Sequence, residues 1–193
     1  MQFIYNTQRL TLKLLNESAA PMVLDFYNKN KAFFSPYEPL QSTEFYTIAY
    51  QEAALKADNL LFLRASSLRY YLFEKGNENH IIGTICFYHI YHLPYATCKI
   101  GYRLDKDSIK KGYAYEALSY LIPILFHELN IDRIEADILP SNTASIQFIT
   151  KLGFTYEGIS RNSCEIAGKR ENHLRFSLLS NDPLPTFHLK VNR

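Results

Sequence analysis

Lys110-Lys111-Gly112-Tyr113-Ala114-Tyr115-Glu116-Ala117 joins a strand-like run, Cys98 to Leu104, to a strongly helical one, Ala114 to Leu129. A strand, a short basic turn with one glycine and then a helix form a device for holding phosphates. The helix N-terminus presents unpaired backbone N–H groups and a partial positive charge, and Gly112 removes the side chain that would keep a phosphate away. Lys110 and Lys111 add charge at the same place. One glycine is also ordinary turn punctuation, so by itself the segment reads first as a plain helix start. Its spelling excludes a Walker A loop, which needs G-x-x-x-x-G-K-[ST], and the three-glycine dinucleotide fingerprint.

Outward from this turn, the helix carries Ala114, Ala117, Leu118, Leu121, Ile122, Leu125 and Leu129 on one face. Pro123 lies in its interior and removes the bond to the Ser119 carbonyl at a cost of ~3 kcal/mol, which predicts a kink or an early stop. Upstream, Arg9–Leu14 alternates as a first strand, and helical patterns follow over Pro21–Asn30 and Glu44–Ala57. Leu68–Glu74 and Ile81–Tyr88 read as an antiparallel hairpin closed by Lys75–Asn79, and Thr97–Leu104 as a fourth strand. Downstream, Arg133–Leu139 is a fifth strand, and Pro140-Ser141-Asn142 caps a short helix, Thr143–Leu152, that stops at Gly153. Phe154–Gly158 returns to extended structure, Glu171–Leu179 is the last strand, and 181–193 reads as a loose tail. The pattern describes one α/β or α+β domain over residues 1–180.

The 193 residues are 47% apolar, enough for one real core. A net charge of +2 with no run of five or six like charges argues against a nucleic-acid surface. No apolar stretch approaches the ~18 residues of a membrane span, and Met-Gln-Phe-Ile-Tyr-Asn lacks a signal-peptide pattern, so a cytoplasmic protein is expected. Cys86, Cys98 and Cys164 form no C-x-x-C and read as free thiols. His89 and His92 have a metal-like gap without a third ligand, so no metal is expected.

Four pieces together resemble the GNAT acetyltransferase superfamily, and within it the RimJ/RimL-like ribosomal-protein N-terminal acetyltransferases. Thr7-Gln8-Arg9-Leu10-Thr11-Leu12-Lys13 is similar to the opening T-x-R-L-x-L-R strand, and Phe33-Phe34-Ser35-Pro36-Tyr37-Glu38-Pro39 to F-L-x-P-W-E-P. Ile100–Leu104 leading into Lys111–Leu118 resembles the acetyl-CoA strand and pyrophosphate loop. Asn142-Thr143-Ala144-Ser145, Lys151-Leu152-Gly153-Phe154 and Glu157-Gly158 resemble N-x-x-S…K-L-G-F…E-G. The match covers about residues 7 to 179. It departs at Ile109 and Lys110, where the family's Q/R-x-x-G-x-G/A loop has its first residue and a second glycine, at Tyr37 for Trp, and at Asn172 for Asp.

The resemblance implies a GNAT fold: a mixed, mostly antiparallel sheet, splayed between the fourth and fifth predicted strands and flanked by helices. It implies acetyl-CoA as cofactor, held by Tyr102, Arg103, Leu104, Lys110, Lys111, Gly112, Tyr113, Ala114, Tyr115, Asn142, Ser145 and Phe148. The acceptor implied is a protein N-terminus, or else a small amine, met by Tyr37, Glu38 and His173 in a monomer or homodimer. A non-catalytic acyl-CoA-binding module is the alternative of another class.

Acetyl transfer needs a neutral amine, a polarised thioester carbonyl and help for the departing thiolate. Ile149 stands where many GNAT enzymes carry a thiolate-protonating Tyr, and the RimJ/RimL-like pattern assigns that assistance to Ser145. At the third position of a helix capped by Asn142, its hydroxyl can donate where positive charge gathers. A backbone N–H near Tyr102 to Leu104 is the expected oxyanion donor. Glu135 is a candidate base on the fifth strand, with a solvated or structural carboxylate equally open, and Glu38 a weaker one. An α-amine costs only ~1.2 kcal/mol to deprotonate at pH 7 and a lysine ~4.6, so the absence of an obvious strong base favours α-amines. Tyr88, Tyr91 and Tyr95 line an acceptor groove in one reading and are half-buried core in the other.

Overall fold

The computed structural model describes residues 1–187. An eight-stranded sheet runs through the molecule in the order β1 (Ile4–Asn6), β2 (Leu10–Lys13), β3 (Leu68–Glu74), β4 (Gly83–Tyr91), β5 (Thr97–Leu104), β6 (Arg133–Ile138), β8 (Lys169–Leu179), β7 (Thr155–Ile166). Every neighbouring pair is antiparallel except β5 and β6. Helices α1 (Ala20–Phe34) and α2 (Ile48–Leu63) cover one face, α3 (Tyr113–Leu129) and α4 (Thr143–Lys151) the other.

Alternation along the strands builds both layers. Tyr70 and Leu72 of β3 join the core under α3, with Leu118, Leu121, Ile122 and Leu125, while Tyr71 and Phe73 point to the other face and meet Val23, Phe26 and Leu55. Seven strands and four helices lie where the residue patterns place them, β3 and β5 with the same ends and the others with shifted ones. The expected first strand is the second: Ile4-Tyr5-Asn6 pairs ahead of it through the turn at Thr7. Only three residues long, it is too short to show a period. α1 continues to Phe34 because Ser35-Pro36 is the first stop it meets. α2 starts at Ile48, not Glu44, since Thr47 is the cap whose hydroxyl accepts from Tyr50 N; Glu44–Tyr46 is a separate 3-10 turn.

The early stop expected at Pro123 does not occur. α3 runs on to Leu129, because its buried face from Ala117 to Phe126 is worth more than the ~3 kcal/mol of a lost backbone bond. β7 extends far past Gly158, to Ile166, and turns into β8 at Ala167-Gly168, whose φ values of +49° and +80° suit a two-residue hairpin. Ala at the first turn position hid that hairpin. Residues 181–187 form no helix or strand, yet they are not loose: Pro185 is buried, Leu184 packs on the core, and Phe187 lies 5.2 Å from the Arg9 guanidinium. The rest of that segment, 188–193, lies outside the described residues. No described helix is long and apolar enough to cross a membrane.

Candidate active site

The parallel pair is where the sheet opens. β5 and β6 are in register only at Thr97–Arg133, Cys98–Ile134 and Lys99–Glu135; beyond Lys99 the strands diverge. From Ile100 to Leu104 the backbone groups of β5 that face β6 therefore have no strand partner, and a buried backbone group without one is costly. The wedge suits an extended amide-bearing ligand such as a pantetheine arm. Because β5 and β6 are parallel, the helices that follow them, α3 and α4, both start at the open end of the wedge and turn their positive N-termini toward it.

The turn into α3 is built for this. Lys110 and Gly112 both have positive φ, +61° and +81°, and Gly112 occupies the cap position without a side-chain cap. Positive φ at two sites curls successive N–H groups inward to form an anion cradle. The cradle is held from two sides. Glu116, 2% exposed in the first turn of α3, accepts from Thr7 Oγ1 at 2.6 Å, from Arg9 N at 2.7 Å and from Arg9 Nε at 2.6 Å, and Arg9 Nη1 then donates to the Lys111 carbonyl at 3.0 Å. On the other side Asp105, fully buried, accepts from Lys29 Nζ at 2.8 Å and from the Asp107 N–H at 2.8 Å. Burial opposes its ionisation, but the hydrogen bonds from Lys29, Asp107 and Asn30 outweigh it and hold its carboxyl below the usual range.

At the start of α4, Asn142 Oδ1 accepts from Ser145 N at 3.1 Å, as the cap reading requires. Ser145 is half-buried at the third helical position, and its carbonyl accepts from Tyr102 OH at 3.4 Å. Phe148 packs edge-on against Tyr102 with centroids 4.9 Å apart, which fixes α4 on β5 across the wedge.

On the α1/α2 side the wedge opens into a cavity of about 790 Å3 whose lining includes Tyr37, Glu38, Tyr102, Arg103, Ser145 and His173. Each carboxylate lining it is engaged by a cation. Glu38 is bound to Arg103 Nε, Asp58 to Arg69 at 2.8 Å, and Asp137 to Lys99 at 2.6 Å and Arg175 at 3.1 Å. Burial pushes the Asp137 carboxyl up, but Lys99 and Arg175 prevail and hold it below its usual range. Burial pushes Tyr88 and Tyr102 up to about 12, so both stay protonated near neutrality.

Most of the expected site residues thus gather at the wedge. Tyr37, Glu38, Tyr102, Arg103, Asn142, Ser145 and His173 line one cavity, and Lys110, Lys111, Gly112, Tyr113 and Ala114 form the turn at the α3 end. Tyr115 lies one position further, under the Lys151 ammonium at 5.0 Å from the ring, and Leu104 ends β5 against the core. Glu135 is absent from the cavity lining and bonds to Arg133 Nε at 2.9 Å, leaving Asp137, one pleat onward, as the β6 carboxylate in the cavity. Tyr88 lines the cavity, whereas Tyr91 and Tyr95 are exposed at 56% and 75% on the β4–β5 turn. The cysteines are free thiols: Cys86 and Cys98 buried, Cys164 half-buried in the lining. Sequence reasoning missed the Glu116 clamp, Asp105 and the paired charges. None of them carried a local signal: Glu116 falls opposite the apolar stripe of α3, and it is Thr7 and Arg9 that bury it.

A splayed parallel pair with two helix N-termini at its mouth and a polar cavity behind defines a CoA-dependent acyltransferase. The model of the acetyltransferase (GNAT) domain matches residues 9–155. The chain is 30% identical over 159 residues to the probable N-acetyltransferase YjcK of Bacillus subtilis (strain 168), covering 82% of this chain and 87% of that one. Its fold is similar to that of the ribosomal-protein-S5-alanine acetyltransferase from Vibrio fischeri, with a TM-score of 0.87 and 26% identity over 93% of this chain and 98% of that one. It is also similar in fold to Mycobacterium smegmatis RimJ in complex with CoA-disulfide, with a TM-score of 0.84 and 18% identity over 92% and 87% of the two chains. The chain belongs to the GNAT acetyltransferase family. It is an acetyl-CoA-dependent N-acetyltransferase, and the cradle and wedge fit that cosubstrate.

Proposed function

We propose that the acceptor is the N-terminal α-amine of a protein made in the cytoplasm, of the kind ribosomal proteins present. The observation that carries this reading is the pairing of each carboxylate in the cavity lining with a cation. A carboxylate engaged by a cation is a poor trap for an ammonium ion, which disfavours lysine side chains and polycationic small amines. An α-amine, with an ordinary pKa of ~7.7–8.0, brings its own neutral fraction to the site. The similar Vibrio fischeri protein is named for alanine acetylation of ribosomal protein S5.

In this reading the cofactor's pyrophosphate rests on the α3 turn and its arm runs along β5. The amine attacks the thioester carbonyl directly, a β5 N–H near Tyr102 to Leu104 receives the developing oxyanion, and Ser145 donates to the departing thiolate. Thiol release from acetyl-CoA, measured against peptides with a free N-terminus and the same peptides N-terminally blocked, tests it. Release with the free peptides alone is expected; release with blocked lysine peptides or polyamines at equal rates would overturn it.

A further inference from the structure

We infer that His173 is the general base that takes the proton from the acceptor amine and that Ser163 positions it; the inference rests on the reading of an α-amine acceptor given above. His173 is on β8, 6% exposed, and lines the cavity together with Ser145 and Asn142. It comes one residue before the Leu174–Ile138 pair that ends the β8–β6 register, level with Leu139. The Leu139 carbonyl accepts from Asn142 N at 2.9 Å, in the turn that caps α4 and sets Ser145. The backbone of His173 is therefore level with the loop that carries the thiolate-assisting hydroxyl, and its side chain lines the same cavity as Ser145.

Its orientation is built by an irregularity in β7. Ser160 pairs with His173 and Cys164 with Glu171, so residues 161–163 face the single residue Asn172. Asn162 takes a φ of +48°, and its N–H donates to Asn172 Oδ1 at 2.8 Å. Bulges of this kind re-aim side chains. Here the result is Ser163 Oγ at 2.9 Å from His173 Nδ1. In the base-competent tautomer Nδ1–H donates to Ser163 Oγ, which leaves the Nε2 lone pair to the cavity.

The remaining groups do not fill this role. Asp137 on β6 is held by Lys99 and Arg175, and across the cavity Glu38 and Asp58 are held by Arg103 and Arg69. Glu171 and Arg175 neighbour His173 on its own strand, and Cys164 lies next to Ser163 on β7. Imidazole is the side chain whose ordinary pKa, about 6.5, lets it accept a proton near neutrality.

The amine lone pair forms the N–C bond while the C=O π pair moves to oxygen, and an N–H proton passes to Nε2. The oxyanion then restores C=O, the C–S pair leaves on sulfur beside Ser145, the imidazolium returns its proton to solvent and the thiolate is protonated from solvent. The products are the amide and CoA thiol.

The test is the pH profile of kcat/KM with acetyl-CoA and a free N-terminal peptide for the wild type, His173→Gln and Ser163→Ala, with acetyl-CoA affinity measured in parallel. His173→Gln should lose about 100-fold or more at neutral pH with acetyl-CoA affinity unchanged. The wild-type profile should fall toward acid with a limiting slope near two, from amine and imidazole, and the variant's with a slope near one. Imidazole added to His173→Gly should restore turnover, and Ser163→Ala should lower kcat more than it changes KM. Activity of His173→Gln within about threefold of wild type, or a loss with unchanged slope and no imidazole rescue, would overturn the inference while leaving the acceptor reading intact. Wild-type protein that binds acetyl-CoA yet turns over no free N-terminal peptide would overturn both. Should His173→Gln not fold, wild-type rates in Ser163→Ala would still refute the positioning.

Discussion

Glu116→Gln should damage the molecule out of proportion to its single changed atom. In the native clamp Oε1 accepts from Thr7 Oγ1 and Arg9 N, and Oε2 accepts from Arg9 Nε. An amide keeps the Oε1 side but sets an NH2 donor against the Arg9 Nε–H donor and removes the charge from a site 2% exposed. Breaking a fully buried pair costs about 3–5 kcal/mol. The Arg9 side chain is 30% exposed and solvent recovers part of this, so about 3 kcal/mol is expected. For a chain of this size that is a fall in Tm of about 6–12 °C. A second effect follows, because Arg9 Nη1 also holds the Lys111 carbonyl. With the guanidinium released, the phosphate turn loosens and acetyl-CoA affinity should weaken about fivefold or more, about 1 kcal/mol. Thermal melts with and without acetyl-CoA, together with Arg9→Gln and the double variant, give the coupling energy. A single variant melting within about 2 °C of wild type, with unchanged acetyl-CoA affinity, would refute the claim that this clamp holds the cradle.

Three further outcomes follow from the same geometry. Gly112→Val puts a β-branched residue at φ +81°, costing on the order of 1–3 kcal/mol, and should abolish most acetyl-CoA binding by calorimetry; normal affinity would remove the turn from the cofactor site. Ser145→Ala should lower kcat about tenfold or more with near-normal acetyl-CoA affinity, since an alanine leaves the Asn142 cap bond to the backbone of residue 145 in place; unchanged turnover would take the hydroxyl out of the mechanism. Hydrogen bonding from Arg133, joined by Ser177 and opposed by burial, lowers Glu157 to about 2 from an ordinary value of 4.5. Its depressed folded pKa means that the stability it contributes is present above 4.5 and is lost as pH falls toward 2. Solvent screening limits this to about 1 kcal/mol, read as a flatter acid limb of the stability curve in Glu157→Gln.

The parts legible in the sequence were those that repeat or punctuate. α3 announces itself through seven apolar positions on one face, and β3 and β5 through runs rich in aromatic and aliphatic residues whose ends the structure reproduces. Asn142 and Gly112 were readable because caps and positive-φ turns tolerate few residue types. What escaped depends on contacts distant in sequence. Nothing local to Glu116 announces Arg9, 107 residues away, and nothing local to Glu135 says that Arg133 will engage it while Asp137 takes the place in the cavity. The early stop at Pro123 did not follow because its cost is local and its compensation, the buried face of α3, is tertiary. Ser163 was invisible because the bulge that aims it exists only once β7 and β8 pair.

The central claim is that acetyl passes from acetyl-CoA to an N-terminal nitrogen. The most direct measurement incubates the protein with acetyl-CoA and one peptide that carries both a free α-amine and an internal lysine, then locates the added acetyl group by fragment-ion mass spectrometry. The account predicts acetylation at the α-nitrogen with the lysine left free. Acetyl on the lysine alone, or no acetyl on any such peptide from protein that binds acetyl-CoA, would contradict it.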